Sequence, residues 1–118
     1  MEFSSLHQKA VLWVFDSYDS NGEPKVSEPV EISCRWEEVS SQFMDSTSSP
    51  IAISSEIWTD QVIAKGSMLW KGKLIDLPAP ADAIVEVVGF DVIPDIKGRN
   101  FELVAYARRY KESLPTVV

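Results

Sequence analysis

The chain has very few of the side chains on which catalysis and metal binding usually depend. Its 118 residues include one cysteine, Cys34, and one histidine, His7. A single thiol excludes an intramolecular disulfide, and one thiol with one imidazole provides no framework for zinc. A serine or cysteine nucleophile would need His7 to fold back onto the body as its base. We therefore predict no catalytic residue, no metal site and no cofactor.

Glycine clusters and long apolar runs are also missing from the sequence. The five glycines are isolated, so no glycine-rich loop is present to bind a phosphate group. No apolar run approaches the roughly 20 residues of a membrane-spanning helix. The first residues have neither the basic region nor the apolar stretch of a secretory signal. These observations predict a cytoplasmic protein with no membrane partner.

Positive charge is scarce relative to negative charge. The chain has 11 Lys and Arg against 18 Asp and Glu, for a formal net charge of −7. Affinity for nucleic acid comes mainly from Lys and Arg contacts to phosphates, so this balance argues against a general nucleic-acid binder. An acidic surface would instead suit a protein past which DNA must slide without being retained.

The sequence contains alternating apolar and polar residues along most of its length. In residues 9–18, apolar side chains occur at both odd and even positions, which predicts a strand covered on both faces. Residues 30–39 place their apolar side chains, Cys34 among them, on a single face. Residues 51–60 also alternate, and Trp58 falls on the face predicted to meet solvent or a neighbouring subunit. The remaining predicted strands are residues 68–74, 84–93 and 101–109.

These short strands, separated by turns, predict an all-β protein. Six apolar strands in an open sheet would leave adhesive edges, which closure removes. We expect a small closed or partly open antiparallel β-barrel of about six strands, with a long loop at residues 40–50 and extended termini. The length predicts a single domain over residues 1–118, with an N-terminal arm at 1–8 and a C-terminal tail at 110–118.

Three motifs occur in an order that resembles the head-closure, or stopper, family of tailed-phage head-to-tail connectors. The first is Arg35-Trp36-Glu37-Glu38, followed by a loop and an alternating strand. The second is Ile63-Ala64-Lys65-Gly66-Ser67-Met68-Leu69-Trp70 with Gly72. The third is a turn at residues 95–100 containing Gly98-Arg99, followed by the strand at 102–107. The resemblance covers about residues 26–109.

The resemblance implies a non-enzymatic barrel subunit that assembles as a homo-oligomeric ring in the neck of the virion, after synthesis in the host cytoplasm. Portal or adaptor proteins would contact one side of the ring, and tail proteins the other. Packaged DNA would pass through or abut the channel without sequence-specific binding. In that family the loop between the second and third core strands projects into the channel, which here corresponds to residues 40–50.

We therefore expect two sets of functional residues. The candidate channel loop contains Gln42, Phe43, Met44 and Asp45. The candidate interfaces with other subunits or partners contain Trp58, Lys97, Arg99, Tyr110 and Leu114.

Two alternatives remain open. A different phage component, such as an adaptor, tail terminator or minor capsid protein, would share this composition and also form symmetric assemblies. A small barrel that binds nucleic acid or another ligand could use the four tryptophans for stacking, although such platforms normally lie in basic grooves.

Overall fold

The computed structural model describes residues 8–44, 50–80, 83–94, 101–110 and 115–117. Within these ranges the chain forms nine strands joined by turns, so the all-β prediction is confirmed. The strands are β1 Gln8–Trp13, β2 Phe15–Tyr18, β3 Pro24–Val26, β4 Val30–Met44, β5 Pro50–Thr59, β6 Met68–Lys71, β7 Val85–Pro94, β8 Phe101–Arg109 and β9 Thr116–Val117.

Six of these strands form a closed antiparallel barrel in the order β1-β4-β5-β8-β7-β6. The first strand closes the barrel, because Gln8–Trp13 pairs with β4 along one edge and with β6 along the other. Every barrel strand therefore has a hydrogen-bonded neighbour on each side. The prediction of a small closed barrel of about six strands is confirmed.

Two cores lie on opposite faces of β1. Ala10 and Leu12 point into the barrel, where they join a buried cluster that includes Ile57. Val11 and Trp13 point outward and pack in a second cluster. The remaining buried members of that second cluster are Val26, Met68 and Ile84. The prediction of a first strand covered on both faces is therefore confirmed for residues 10–13, which are all buried.

The first strand is shorter than predicted. Pairing with the barrel ends at Trp13, and after Val14 the chain enters a separate three-stranded sheet in the order β2-β3-β9. The proline-containing segment 23–29 favours an extended backbone, and part of it forms β3. Pro24 is compatible with this strand because it occupies the first position, where a missing N–H does least harm to the pairing.

The predicted C-terminal tail is partly built into this second sheet. Residues 116–117 pair in parallel with Lys25 and Val26, and Pro115 is buried. The predicted N-terminal arm lies outside the described residues except for Gln8, which begins β1. The prediction that residues 1–118 form a single domain stays a prediction.

The predicted loop at residues 40–50 is wrong for most of its length. Strand β4 continues to Met44, which pairs with Pro50 at the start of β5. A bulge between Glu38 and Ser41 shifts the register, so the inward and outward alternation is interrupted there. Serine-rich residues can form a ladder without an apolar face, because the ladder is made by the backbone.

The terminal hairpin agrees with its sequence-based prediction. Strand β7 pairs with β8 from Val85 and Arg109 to Pro94 and Phe101, with a bulge between Val87 and Gly89. Lys97 and Arg99 lie in its connection, outside the described residues. Between β6 and β7 the chain makes a 3-10 turn at Leu74–Asp76. No helix among the described residues is long and apolar enough to cross a membrane.

We expect that replacing Ile57 with alanine will destabilise the barrel by about 2–5 kcal/mol, because its side chain is completely buried and the cavity left behind collapses only partly. Urea denaturation measures this change. Val92→Ala is a matched control because Val92 is half exposed on β7, and its free energy of unfolding should change by less than about 1 kcal/mol. Equal effects of the two substitutions would contradict the assignment of Ile57 to the core.

Candidate functional site

Polar side chains gather at one end of the barrel. Strand parity directs the side chains at these positions inward: Trp36 and Glu38 follow Cys34 on β4, and Lys71 follows Leu69 on β6. Arg109 has the same parity as the buried alanines of β8. With Ser55 they line a cavity of about 350 Å³. We call these five residues the barrel mouth.

Hydrogen bonds fix the acidic side of the barrel mouth. The Trp36 indole N–H donates to Glu38 Oε1 at 3.0 Å, and the Ser55 hydroxyl donates to Glu38 Oε2 at 3.4 Å. Both carboxylate oxygens of Glu38 are therefore engaged. The barrel mouth holds two cations, Lys71 and Arg109, and one anion, so its formal charge is +1 in a chain of net charge −7.

A second, larger cavity adjoins the barrel mouth. Strands β5 and β8 pair only from Ser55 and Ala107 to Thr59 and Leu103. Beyond Ser55 and Ala107 the two strands separate, and a cleft of about 860 Å³ lies between residues 50–54 and 108–110. We call it the β5–β8 cleft. Ser54 and Arg109 line both cavities, so the cleft and the barrel mouth are continuous.

Aromatic and charged residues complete the β5–β8 cleft. Phe15 and Tyr18, from the small sheet, pack edge to face with ring centroids 5.1 Å apart, and both line the cleft. Arg108 Nε donates to Glu86 Oε1 at 3.2 Å across the β7–β8 pair. Gly66, on the same lining, has φ of +92°, and a Cβ there would lie 3.0 Å from the Phe15 ring. Glycine is therefore required for this close approach.

The single cysteine lies inside the barrel and is fully buried, as predicted. Burial raises the pKa of the Cys34 thiol to about 11, and the nearby cations of Lys71 and Lys9 lower it by less. The thiol is therefore protonated at neutral pH. A thiolate is the reactive form, so the environment of Cys34 does not activate it as a nucleophile.

The outer face of the barrel carries Trp58, which was predicted to point toward solvent or a neighbour. It does lie on the outer face, but it is half-buried, and the Arg35 guanidinium sits 5.8 Å from its ring centroid. Its indole N–H is buried, and no group within the described part of the chain accepts a hydrogen bond from it. Arg35 also forms an ion pair with Glu37. The contact with Arg35 holds Trp58 against its own barrel.

Tyr106, on the outer face of β8, has a raised pKa. The Tyr106 hydroxyl donates to Asp91 Oδ2 at 3.1 Å. Burial, this hydrogen bond and the charges of Asp91 and Glu56 together raise the pKa of Tyr106 to about 12. Tyr106 is therefore a neutral hydrogen-bond donor across the physiological range of pH.

The candidate channel residues lie in a strand rather than in a loop. Gln42, Phe43 and Met44 belong to β4, and Gln42 and Met44 are exposed. Asp45 is outside the described residues. The structure brings Gln42 and Met44 to the end of one hairpin, so they remain available to a partner.

The candidate interface residues do not form one surface among the described residues. Tyr110 is half-buried against the second core, and its backbone N–H donates to the Ile84 carbonyl at 2.9 Å. Trp58 lies on the outer face of β5. The positions of Lys97, Arg99 and Leu114 are outside the described residues.

The barrel mouth could not be predicted from any motif in the sequence. Its residues come from four different strands, β4, β5, β6 and β8, and only barrel closure brings them together. Strand parity is the signal that the sequence does contain, since Glu38 falls on the buried face of β4 and Lys71 on that of β6. Arg109 has the parity of the buried Ala105 and Ala107 on β8.

No protein-family model matches the chain, and no curated protein matches its sequence. The resemblance to head-closure proteins therefore rests on the sequence motifs alone.

The raised pKa of Cys34 predicts a specific pH dependence of stability. The unfolded thiol titrates near 9.0 and the folded thiol near 11, so ionisation favours the unfolded chain between these values. The stabilisation from the buried thiol is complete below the unfolded pKa and is lost as the pH rises toward the folded one.

Urea denaturation of wild type and Cys34→Ala tests this dependence, because all other titrations are shared by the two proteins. We expect the stability advantage of the wild type to shrink as the pH rises from about 8 to about 10.5. An advantage that stays constant over this range would show that the thiol does not titrate with a raised pKa.

Proposed function

We propose that this chain is a structural head-to-tail connector subunit of a tailed bacteriophage, acting in head closure as one member of a ring. The observation that carries the proposal is the closed barrel with a long hairpin beyond it. Residues 41–44 of β4 pair with 50–53 of β5, and this part of the hairpin has no contact with β8 through strand pairing. It extends past the barrel wall at the position where the resembled family has its channel loop.

The direction of the two long hairpins supports a connecting role. The β4–β5 hairpin continues beyond Ser55, which pairs with Ala107 near the end of β8. The β7–β8 hairpin has its tip at Pro94 and Phe101, at the start of β8. The two tips therefore lie toward opposite ends of the barrel. A subunit of this shape offers one docking element to each of two different assemblies.

Charge supports a role beside DNA rather than in binding it. The net charge of −7 disfavours strong retention of a phosphate backbone. A head-closure ring must hold packaged DNA by obstructing its exit and must later release it. Steric obstruction by a hairpin, on a subunit with weak affinity for DNA, meets both requirements.

A second function is favoured by the barrel mouth. Trp70, which is half-buried, lines this cavity together with Lys71 and Arg109, whereas Trp36 is only 7% exposed and belongs to the core. One accessible indole ring therefore lies at a cavity that also holds two cations. Bases stack on such rings in small barrels that bind single strands. This candidate requires oligonucleotide affinity that falls steeply with salt, whereas head closure does not.

An adaptor, tail terminator or minor capsid protein would differ from a stopper in the neighbours that it binds.

The test uses purified protein and portal-containing capsids that lack tails. We expect the protein to bind these capsids stably, as measured by the mass of the complex, and the bound capsids to retain DNA that otherwise leaks. Capsids without portal are the control. No binding, together with salt-sensitive affinity for oligonucleotides, would reject head closure in favour of the small-barrel binding module.

A substitution at the hairpin end tests which element obstructs the DNA. Met44 is 56% exposed near this end, so Met44→Ala should leave the fold intact while removing most of a side chain that would obstruct the DNA. We expect the variant to bind capsids but to reduce DNA retention.

Val62→Ala is the matched control, because Val62 is 71% exposed and lies outside both hairpins. It should retain DNA as the wild type does. Equal retention by Met44→Ala and the wild type would show that the Met44 side chain does not obstruct the channel.

A further inference from the structure

The barrel ladder opens between two neighbouring strands. Strand β5 is paired with β4 along its full length, but β8 accompanies it only from Ser55 onward. Strand β8 stays paired with β7 to Arg109, two residues beyond its last partner in β5. The β5–β8 cleft therefore has a strand edge on each side, residues 50–54 on one and 108–109 on the other. Among the described residues, no strand pairs with either edge.

The bulge in β4 explains why this opening exists. The register shift between Glu38 and Ser41 comes just where the β4–β5 hairpin leaves the barrel, and bulges bend a strand and increase its twist. The hairpin therefore diverges from β8 instead of continuing the wall. Unpaired strand edges are ready templates for another extended chain.

The lining of the cleft suits an extended peptide better than a compact ligand. Backbone groups along 50–54 offer the sequence-independent contacts of strand addition, in which pockets for alternate side chains supply specificity. Phe15 and Tyr18 provide an apolar wall, and Tyr18 is 67% exposed. At about 860 Å³, the cleft is also at the upper end of the usual size of ligand pockets.

The charge of the cleft indicates the kind of chain that it would accept. Arg108 and Arg109 outnumber Glu86, and Arg108 already pairs with that carboxylate. This leaves a net positive lining on a molecule of net charge −7. A second copy of the chain is therefore electrostatically complementary to this cleft, although the two molecules as wholes repel each other.

We propose that the β5–β8 cleft binds an extended, acidic segment of a second copy, which adds as a strand along residues 50–54 and places carboxylates near Arg109. The contact is heterologous, because a cleft on one copy meets a different surface on the next. Repeated contacts of this kind form a ring when the rotation between successive copies closes. This inference rests on the proposed function, in which copies of the chain form such a ring.

Self-association of the purified protein tests the inference without capsids. Sedimentation equilibrium should show oligomers whose population rises with protein concentration. Arg109→Glu should raise the dissociation constant by about tenfold or more, and Arg109→Gln by less. Lys73→Glu is the matched control, because Lys73 is exposed and does not line the cleft. Its dissociation constant should stay within about threefold of the wild-type value.

Hydrogen exchange locates the contact within the oligomer. Amides of residues 51–54 should exchange more slowly in the oligomer than in the monomer, while those of the exposed turn at Asn21 and Gly22 should not change. A protein that stays monomeric at high concentration, or an oligomer with unprotected 51–54 amides, overturns the inference. So does an Arg109→Glu variant that assembles as well as Lys73→Glu.

The outcomes separate this inference from the proposed function. Capsid binding with DNA retention, but no protection of 51–54, rejects the cleft contact and leaves head closure in place. Protected oligomers that neither bind portal-containing capsids nor retain DNA support the cleft contact and reject head closure.

Discussion

The whole structure depends on one short strand that is paired along both edges. Strand β1 joins β4 to β6, and without it the other five barrel strands would form an open sheet. The same strand separates the two cores, with Leu12 inside the barrel and Trp13 against the small sheet. Both edges of β1 are therefore hydrogen-bonded, and both of its faces are packed. Few substitutions in residues 10–13 will affect the packing of only one of the two cores.

The barrel mouth and the β5–β8 cleft both lie at the end of the barrel where β5 and β8 stop pairing. Parity keeps the barrel interior apolar until its last layer, where Glu38, Lys71 and Arg109 replace aliphatic residues. Just beyond that layer β5 and β8 separate, so the barrel mouth and the β5–β8 cleft share Arg109. Both features lie where the β4–β5 hairpin leaves the barrel wall. The projecting hairpin therefore has the β5–β8 cleft at its base.

The sequence predicts those parts of the fold in which one face is buried. The alternation in β4 and the apolar runs of β7 and β8 arise because buried positions must be apolar, so these strands could be predicted. Residues 41–44 could not, because Ser41, Gln42 and Met44 are exposed at both odd and even positions and leave no alternation. The pairing of β9 with β3, and the meeting of Lys71 with Arg109, depend on contacts between distant parts of the chain. No local pattern encodes such contacts.

The dual pairing of β1 also sets an order of events during synthesis. The β4–β5 and β7–β8 hairpins are local and can form as soon as their own residues leave the ribosome. Strand β1 leaves first, yet one of its partners begins only at Met68, and β3 gains its second neighbour only at Thr116. At about 5–20 residues per second, the nascent chain carries open edges for several seconds. Edge-to-edge aggregation is most dangerous in that interval, which for the barrel ends only when β8 pairs with β5 and closes the wall.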